Sequence, residues 1–409
     1  PEVLELGPFK DTIREATLCI RSASGFYAHL SAGPKASLES TQQNGGHTAE
    51  LCRIVRTRKV KYHYDLITLE RTLVNSRIHS ATTVLDYCIE WILENPICRR
   101  IIRTHVVHEN SKARVITLSP WAVSRFMGMI SHVLAPCLTQ RYQTKSGMTK
   151  DRHLWQFLKA LHPEDIIFQE LVSDLILALS TDWSEATDKM IFQFTRKIWA
   201  AILWHGKRVE GFPLGAAALC AKLHSSSRII ILDEDSCKER GVKYLVSKRG
   251  ALMGDMCTKV ILTFAQDVCA RAAGLKVYSI VGDDFFGFGT RENLQKYLDN
   301  VKFTGGEISE DDTFISDKFI FYCEEACLIP RTTQDLPVVM MKRGQSKIIY
   351  LDTPRIRLLL PTNSETQAFS GVQAGRFSLL GKESRWVFAT HKARSALFER
   401  ASVLQHIML

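Results

Sequence analysis

Gly282-Asp283-Asp284 lies within Lys276-Val-Tyr-Ser-Ile-Val-Gly-Asp-Asp-Phe-Phe-Gly-Phe-Gly289. Apolar and β-branched residues run up to the Gly-Asp-Asp corner and aromatic residues lead away. That is the pattern of a tight β-hairpin with two carboxylates at its tip. Adjacent acids at a turn can hold Mg²⁺ where phosphates will sit, because that ion takes hard oxygen ligands. They can equally form a solvated acidic turn. The triplet arises by chance in roughly one chain of this length in ten, so its weight depends on what stands upstream.

Three upstream segments carry residue types that fit the same chemistry. The first is Ser180-Thr-Asp182-Trp-Ser-Glu-Ala-Thr-Asp188. A short buried strand over Leu175–Ser180 is expected to end there, with Asp182 where strand becomes turn. Asp188 then falls in the first turn or two of a helix spanning Ser184–Trp204. Asp182-x-x-Glu185 reads as its capping pattern and Gly206 as its stop. Acids near a helix N-terminus stabilise any helix, so capping accounts equally well for this segment alone. The second is Lys248-Arg-Gly250-Ala-Leu-Met-Gly254-Asp-Met-Cys-Thr258. Two glycines before a helix permit close approach of a nucleic-acid backbone or base, with Thr258 facing outward from the first turn. Two glycines more often mark an ordinary loop. The third is Lys112-Ala-Arg114, whose cations at i and i+2 share one face of a strand and could hold a triphosphate. Charge on an edge strand also guards against aggregation.

The elements that must position these residues follow from periodicity and punctuation. Residues 31–50 read as a loop or a small mobile segment. Residues 64–95 read as helical, from Leu66, Leu69 and Leu73 and then Val84, Leu85, Cys88, Trp91 and Ile92. Val106 to Leu118 reads as two strands around the polar turn His108–Ser111, and Pro120 to Leu138 as a helix. Arg228–Leu232 and Val242–Ser247 read as strands joined by a turn. Met256–Ala273 reads as a helix closed by Gly274, with a core stripe of Val260, Ile261, Phe264, Val268 and Ala272. The hairpin around Asp283, a helix over Arg291–Asn300 and short strands at Lys318–Cys323 and Ala326–Ile329 complete the series. This order predicts an α+β protein with an antiparallel sheet backed by helices.

Composition bounds the setting. The 409 residues suffice for two or three subdomains, and 45% hydrophobic with 23% charged residues is ordinary for a globular protein. No apolar run approaches a membrane span; Leu171–Leu179 and Ile198–Trp204 are too short. The chain begins at Pro1 without a methionine, which leads us to expect a piece of a longer polyprotein or open reading frame. The net charge of +10, from 53 basic and 43 acidic residues, favours a polyanionic partner, although solubility alone can explain it. Basic residues concentrate in the first third, at Arg53–Lys61, Arg99, Arg100, Arg103, Lys112 and Arg114. Acidic ones gather around 164–188, 233–239 and 307–325. The eleven cysteines show no paired metal spacing, so reduced thiols and an intracellular compartment are expected.

The order of the segments is more specific than any one of them. A basic strand, Asp-x5-Asp, Gly-x3-Gly-x3-Thr entering a helix, then Gly-Asp-Asp in a hairpin, is the motif order of viral RNA-dependent RNA polymerases, and the chain resembles that family. Asp182-Trp-Ser-Glu-Ala-Thr-Asp188, Arg249-Gly-Ala-Leu-Met-Gly254 and Val281-Gly-Asp-Asp284 look most like the narnavirus and levivirus-like group. Ile308-Ser-Glu-Asp-Asp-Thr-Phe-Ile315 and Cys323-Glu-Glu325 follow in the same style. The resemblance covers roughly residues 100–330.

The resemblance implies a right-hand fold. Residues 1–170 would form the fingers, with motif F near 112–116. Residues 171–330 would form the palm, with motif A at 180–188, B at 249–258, C at 281–285, D at 302–315 and E at 320–328. Residues 331–409 would form a partial or small thumb. Asp182 and Asp283 would bind two Mg²⁺ ions, with Asp284 in support and Mn²⁺ able to substitute. Asp188 would accept a hydrogen bond from the ribose 2′-hydroxyl, with Thr258 nearby, and Gly254 would let the motif B loop flex. Lys112 and Arg114 would hold the triphosphate. The partners would be a single-stranded RNA template, the nascent strand and nucleoside triphosphates, in a host cytoplasm. The motif D lysine of such enzymes is missing: its slot holds Asp311-Asp312, leaving Lys302, Lys318 or water for that role. A catalytically silent RNA-binding relative would have lost a metal aspartate, and a reverse transcriptase usually has an aromatic sugar gate and Ala or Met before the paired aspartates. Asp188 and Gly282 speak against the latter.

Overall fold

The structure is a computed structural model that describes residues 35–109, 112–139, 141–148, 153–160, 176–184, 186–232, 234–310, 312–323, 325–329, 339–342 and 345–348. It is a mixed α+β protein. Helix α1 (Gly46–Thr57) leads into a hairpin of β1 (Lys59–Tyr64) and β2 (Arg71–Arg77), then helix α2 (Ala81–Glu94). Strands β3 (Ile101–Glu109) and β4 (Lys112–Leu118) form a second hairpin, followed by α3 (Trp121–Thr139), α4 (Tyr142–Met148) and α5 (His153–Ala160). Thus the expected helix over 64–95 is a strand followed by a shorter helix. Ser80 caps α2 through a reciprocal bond with Thr83, which fixes its start. Val60, Tyr62 and Tyr64 alternate with polar residues, the period of a strand.

The central sheet is built from β5 (Leu177–Ser184), β8 (Val277–Val281), β9 (Asp284–Gly289), β10 (Glu307–Ile308) and β11 (Phe314–Ser316), in the order β10-β5-β9-β8 with β11 also on β5. All of its pairings are antiparallel. Between these strands run α6 (Ala186–Lys189), α7 (Phe192–Gly206), α8 (Leu214–His224), β6 (Ile229–Ile231), α9 (Glu234–Arg240), β7 (Tyr244–Val246), α10 (Thr258–Ala272) and α11 (Arg291–Phe303). Hairpins β12 (Phe319–Tyr322) with β13 (Glu325–Leu328) and β14 (Val339–Lys342) with β15 (Gln345–Ile348) end the described chain.

Both faces of the central sheet are covered, and strand alternation decides which residue faces which core. On one face Leu179, Trp183, Tyr278 and Phe285 join the large core with α10 and α11. On the other, Ala178, Val277, Phe286 and Phe288 pack with Leu154 and Phe157 of α5 and with Ile320 and Tyr322 of β12. Helix α10 is buried along nearly all its length. From Thr258 to Ala270 every residue except Lys259 is buried, so the helix is a central post rather than the one-sided stripe expected.

A second, mixed sheet has the order β4-β3-β6-β7, with β3 and β6 parallel. It joins strands from both sides of residue 170. The segment between β6 and β7, read from sequence as a turn, carries the short helix α9. Among the described residues no helix is long and apolar enough to cross a membrane, and the described cysteines are free thiols.

Candidate active site

Asp182 and Asp284 are register partners across β5 and β9, and the Trp183 amide donates to the Asp283 carbonyl at 3.3 Å. Strand β5 continues past Ser180 to Ser184, so Asp182 lies inside a strand and not at its end. Asp182 is therefore not the N-cap of a helix, and Glu185, its partner in the expected capping pattern, lies outside the described residues. The helix expected over Ser184–Trp204 is broken into α6 and α7, and the N-cap of α7 is Ile191. The cause is the sheet: β5 gains pairing on both edges, from β9 on one side and β10 and β11 on the other. On the β10 side, Ser309 N–H donates to the Asp182 carbonyl at 3.0 Å. The backbone of Asp182 is thereby held from two sides.

The turn between β8 and β9 is the two-residue loop Gly282-Asp283, with Val281 opposite Asp284. Gly282 has φ 67°, and Asp283 is not among the positive-φ residues. That is the type II′ arrangement, with glycine at the first loop position. A Cβ on Gly282 would meet nothing within 4 Å, so the glycine is required by backbone angle and not by space. The turn places Asp283 at the tip, one residue before the pair formed by Asp284 and Asp182.

Two aspartates directly opposite in a sheet repel, which costs stability unless a cation offsets it. Cys323, in the β12–β13 turn at φ 51°, donates its thiol to Asp284 Oδ2 at 3.5 Å. Burial, followed by the charge of Asp284, pushes that thiol well above its ordinary pKa. Among the described residues no three carboxylate, thiol or imidazole groups converge on a single point. The donor set is nonetheless of the kind a hard divalent cation takes: two facing carboxylates and a third at the adjoining tip.

The segment after Arg249 joins α6 to β4. Gly250 N–H donates to the Met190 carbonyl at 2.8 Å, and Ala251 N–H to the Thr187 carbonyl at 2.6 Å. These bonds dock the loop against α6, which carries Asp188 on its exposed side. At Gly254 the loop meets β4: Thr117 N–H donates to the Met253 carbonyl at 3.0 Å, and a Cβ on Gly254 would stand 2.0 Å from the Thr117 carbonyl oxygen. Glycine at 254 is therefore demanded by close backbone contact with the strand that carries Lys112 and Arg114. Those two occupy the edge strand β4, opposite Glu109 and Val107 of β3. Asp255 anchors the loop from below, accepting from Arg228 Nη2 at 2.6 Å and Ser119 Oγ at 2.7 Å, all three being buried.

Thr258 does not face outward. It is buried, and its hydroxyl donates to the Leu252 carbonyl at 2.8 Å. His224 Nδ1 accepts from Trp199 Nε1 at 3.2 Å, so its proton sits on Nε2 and is donated to Thr258 Oγ1 at 3.2 Å. Burial lowers the His224 pKa to about 4 and keeps it neutral. The outward position belongs instead to Lys259. It is solvent-accessible yet walled closely enough that desolvation lowers its pKa, while the negative charge of Asp283 pulls the other way. Lys302 and Lys318 are exposed, at the end of α11 and between β11 and β12. Asp311 lies outside the described residues; Asp312 is exposed and accepts from Ser309 Oγ at 2.8 Å.

Part of the basic charge of the first third is committed inside the chain. Arg53 pairs with Glu50, Lys61 with Glu94, Arg99 with the Ile92 carbonyl and Arg100 with the Ser227 carbonyl. Sequence reasoning missed Gln266 and Lys259, and quoted Cys323 within the resemblance without giving it a role. One signal stood in plain view: Gln266 is an uncharged polar residue set among Leu262, Ala265, Cys269 and Ala270 of an otherwise largely apolar helix. No protein-family profile and no curated protein matches the chain.

Proposed function

We propose that this chain is an RNA-templated RNA polymerase of right-hand fold, adding nucleotides to an RNA 3′-hydroxyl with release of pyrophosphate. The observation that carries the reading is the pairing of Asp182 with Asp284 across two strands, with Asp283 beside them at the hairpin tip. The family resemblance implies that these acids meet, and antiparallel pairing of β5 with β9 sets Asp182 opposite Asp284.

Asp182, Asp283 and Asp284 would hold divalent cations. Mg²⁺, when bound, would favour the alkoxide form of the attacking hydroxyl and offset charge on the α-phosphate and the leaving pyrophosphate. The protein's own part is to hold Asp182 and Asp284 on one sheet face with Asp283 at the adjoining tip, so that little reorganisation is needed when substrate binds. Asp188, exposed on α6 beside the loop at Gly250, would accept from the ribose 2′-hydroxyl. Lys112 and Arg114 would approach the triphosphate from β4, which the Thr117–Met253 bond ties to the same loop. Thr258, turned inward, supports the loop at Leu252 and is not assigned to the nucleotide. A host cytoplasm, as the family resemblance implies, is part of the proposal.

The test is incorporation on a single-stranded RNA template with Mg²⁺, comparing ribo- with deoxyribonucleotides. Template-dependent ribonucleotide incorporation that Asp283→Ala abolishes is the expected result. A chain that binds RNA but incorporates nothing would be a silent relative, and equal use of deoxyribonucleotides would make it a different polymerase.

A further inference from the structure

On the sheet face opposite Asp182 and Asp284, a buried polar chain runs beneath the carboxylates in one direction. Trp183 Nε1 donates to the Tyr297 hydroxyl at 3.1 Å, and that hydroxyl donates to Gln266 Oε1 at 2.9 Å. Gln266 Nε2 then donates to the carbonyls of Gly282 at 2.5 Å and Asp283 at 3.1 Å. The Asp283 carbonyl also accepts the Trp183 backbone amide, so the chain closes on the residue next to Asp182. The amide orientation of Gln266 follows from chemistry. Carbonyls cannot donate, so nitrogen must face them, and Oε1 must then take the phenol proton.

Gln266 and Tyr297 are fully buried, and Trp183 is nearly so. A buried amide is costly unless bonded, and an apolar side chain would pack as well in this core. What the amide does that an apolar residue cannot is grip the turn. Besides the β8–β9 pairing and the Trp183 amide, the turn has no side-chain packing at its first residue: a Cβ on Gly282 would meet nothing within 4 Å.

We propose that Gln266 is a positioning residue that fixes the Gly282–Asp283 turn relative to Asp182, so that the hairpin and strand carboxylates are held as one unit. Tyr297 completes the device. Its ring stacks on Phe285 at 3.9 Å between centroids, and Phe285 follows Asp284 in the chain. The grip itself is independent of the reaction; its bearing on cation affinity rests on the polymerase reading.

Gln266→Met keeps the length and volume and removes the hydrogen bonds. In the metal-free full-length chain, hydrogen–deuterium exchange should quicken at Trp183 and across 281–285, with α2 and the β1–β2 hairpin unchanged. Calorimetric titration with Mn²⁺ should show affinity lowered about tenfold, the usual size of an outer-shell effect. In incorporation assays kcat should fall while the nucleotide KM stays as it was. Tyr297→Phe, which keeps the ring stack, should act in the same direction more weakly, and it stands as the test should Gln266→Met fail to fold. The double variant should be no worse than Gln266→Met. Exchange and Mn²⁺ affinity unchanged in a folded variant, whatever its melting temperature, would overturn the proposal. If the wild-type chain incorporates nothing yet the variants loosen exchange at Trp183 and 281–285, the polymerase reading fails and the positioning role stands. Incorporation by the wild type with both readouts unmoved in the variants is the opposite case.

Discussion

Asp182 and Asp284 face each other across β5 and β9, from segments far apart in the chain. Cross-strand partners in an antiparallel pair project to the same face, so the two carboxylates share one side of the sheet. Of the three acids assigned to the cations, Asp182 and Asp283 would be the principal ligands with Asp284 in support, so removing either of those two should be decisive. Asp182→Ala or Asp283→Ala should lower incorporation on the order of a thousandfold or more, since residues that act as a unit fail together. RNA binding should persist. The same substitutions should leave the melting temperature unchanged or raised, because each removes a like charge from its neighbours. Near-normal turnover in either folded variant would remove both residues from the site.

Much of this arrangement was legible in the sequence. The hairpin announced itself by Val-Gly-Asp-Asp-Phe, since a two-residue turn with glycine first has few alternatives. Helix α10 was visible through its stop at Gly274, which adopts φ 77°. Asp182 was legible as a residue and not as a location. Ser-Thr-Asp-Trp-Ser-Glu carries good capping chemistry, and local sequence cannot reveal that strands on both sides will extend β5 through it. Thr258 failed for a similar reason: outward facing was inferred from the helix alone, whereas His224 and Leu252 claim its hydroxyl from other elements. Gln266 makes contacts that only tertiary structure creates.

The buried histidines set a pH dependence of stability. His224 is neutral in the fold with its pKa lowered to about 4, as is that of His47. The unfolded chain binds protons at these sites near pH 6.5. Between those values the unfolded state holds more protons, so stability is complete above about pH 6.5 and falls as pH drops toward 4. Each histidine contributes a slope of about 1.4 kcal/mol per pH unit in that window. Urea unfolding at pH 7 and pH 5 should show the loss, and His224→Gln should reduce it by one proton's worth. An identical slope in the variant would mean that His224 is charged in the fold.

The two glycines of the site should fail differently. At Gly254 a methyl group would stand 2.0 Å from the Thr117 carbonyl, so Gly254→Ala must push the loop away from β4. At Gly282 there is room, and only the backbone angle objects, at about 1–3 kcal/mol. Thermal melts should show Gly282→Ala losing about that amount, with Gly254→Ala showing disturbed exchange at both Met253 and Thr117. Exchange at Thr117 unaffected by Gly254→Ala would show that the contact is not maintained in solution.

The edge strand β4 bears on nucleotide use. If Lys112 and Arg114 approach the triphosphate, Lys112→Ala or Arg114→Ala should raise the nucleotide KM more than it weakens template affinity. Template binding should itself weaken with salt through counterion release. A loss of template affinity with KM unmoved would instead place both residues on RNA.

Asp188 divides a substrate role from a structural one. As a cap of the helix expected over Ser184–Trp204, it would contribute about 0.5–2 kcal/mol. That helix is broken, α7 takes Ile191 as its N-cap, and Asp188 is exposed on the short α6. Asp188→Ala should therefore not carry the cost of a lost cap on α7. A site built around a substrate hydroxyl rejects the analogue lacking it, because its polar group is left unpaired. The substitution should then narrow the preference for GTP over dGTP opposite a template cytosine, measured by steady-state incorporation. The docking of Gly250 and Ala251 onto Met190 and Thr187 uses backbone atoms only, so the loop should stay in place and make the comparison clean. A lowered melting temperature with the sugar preference unchanged would return Asp188 to structure.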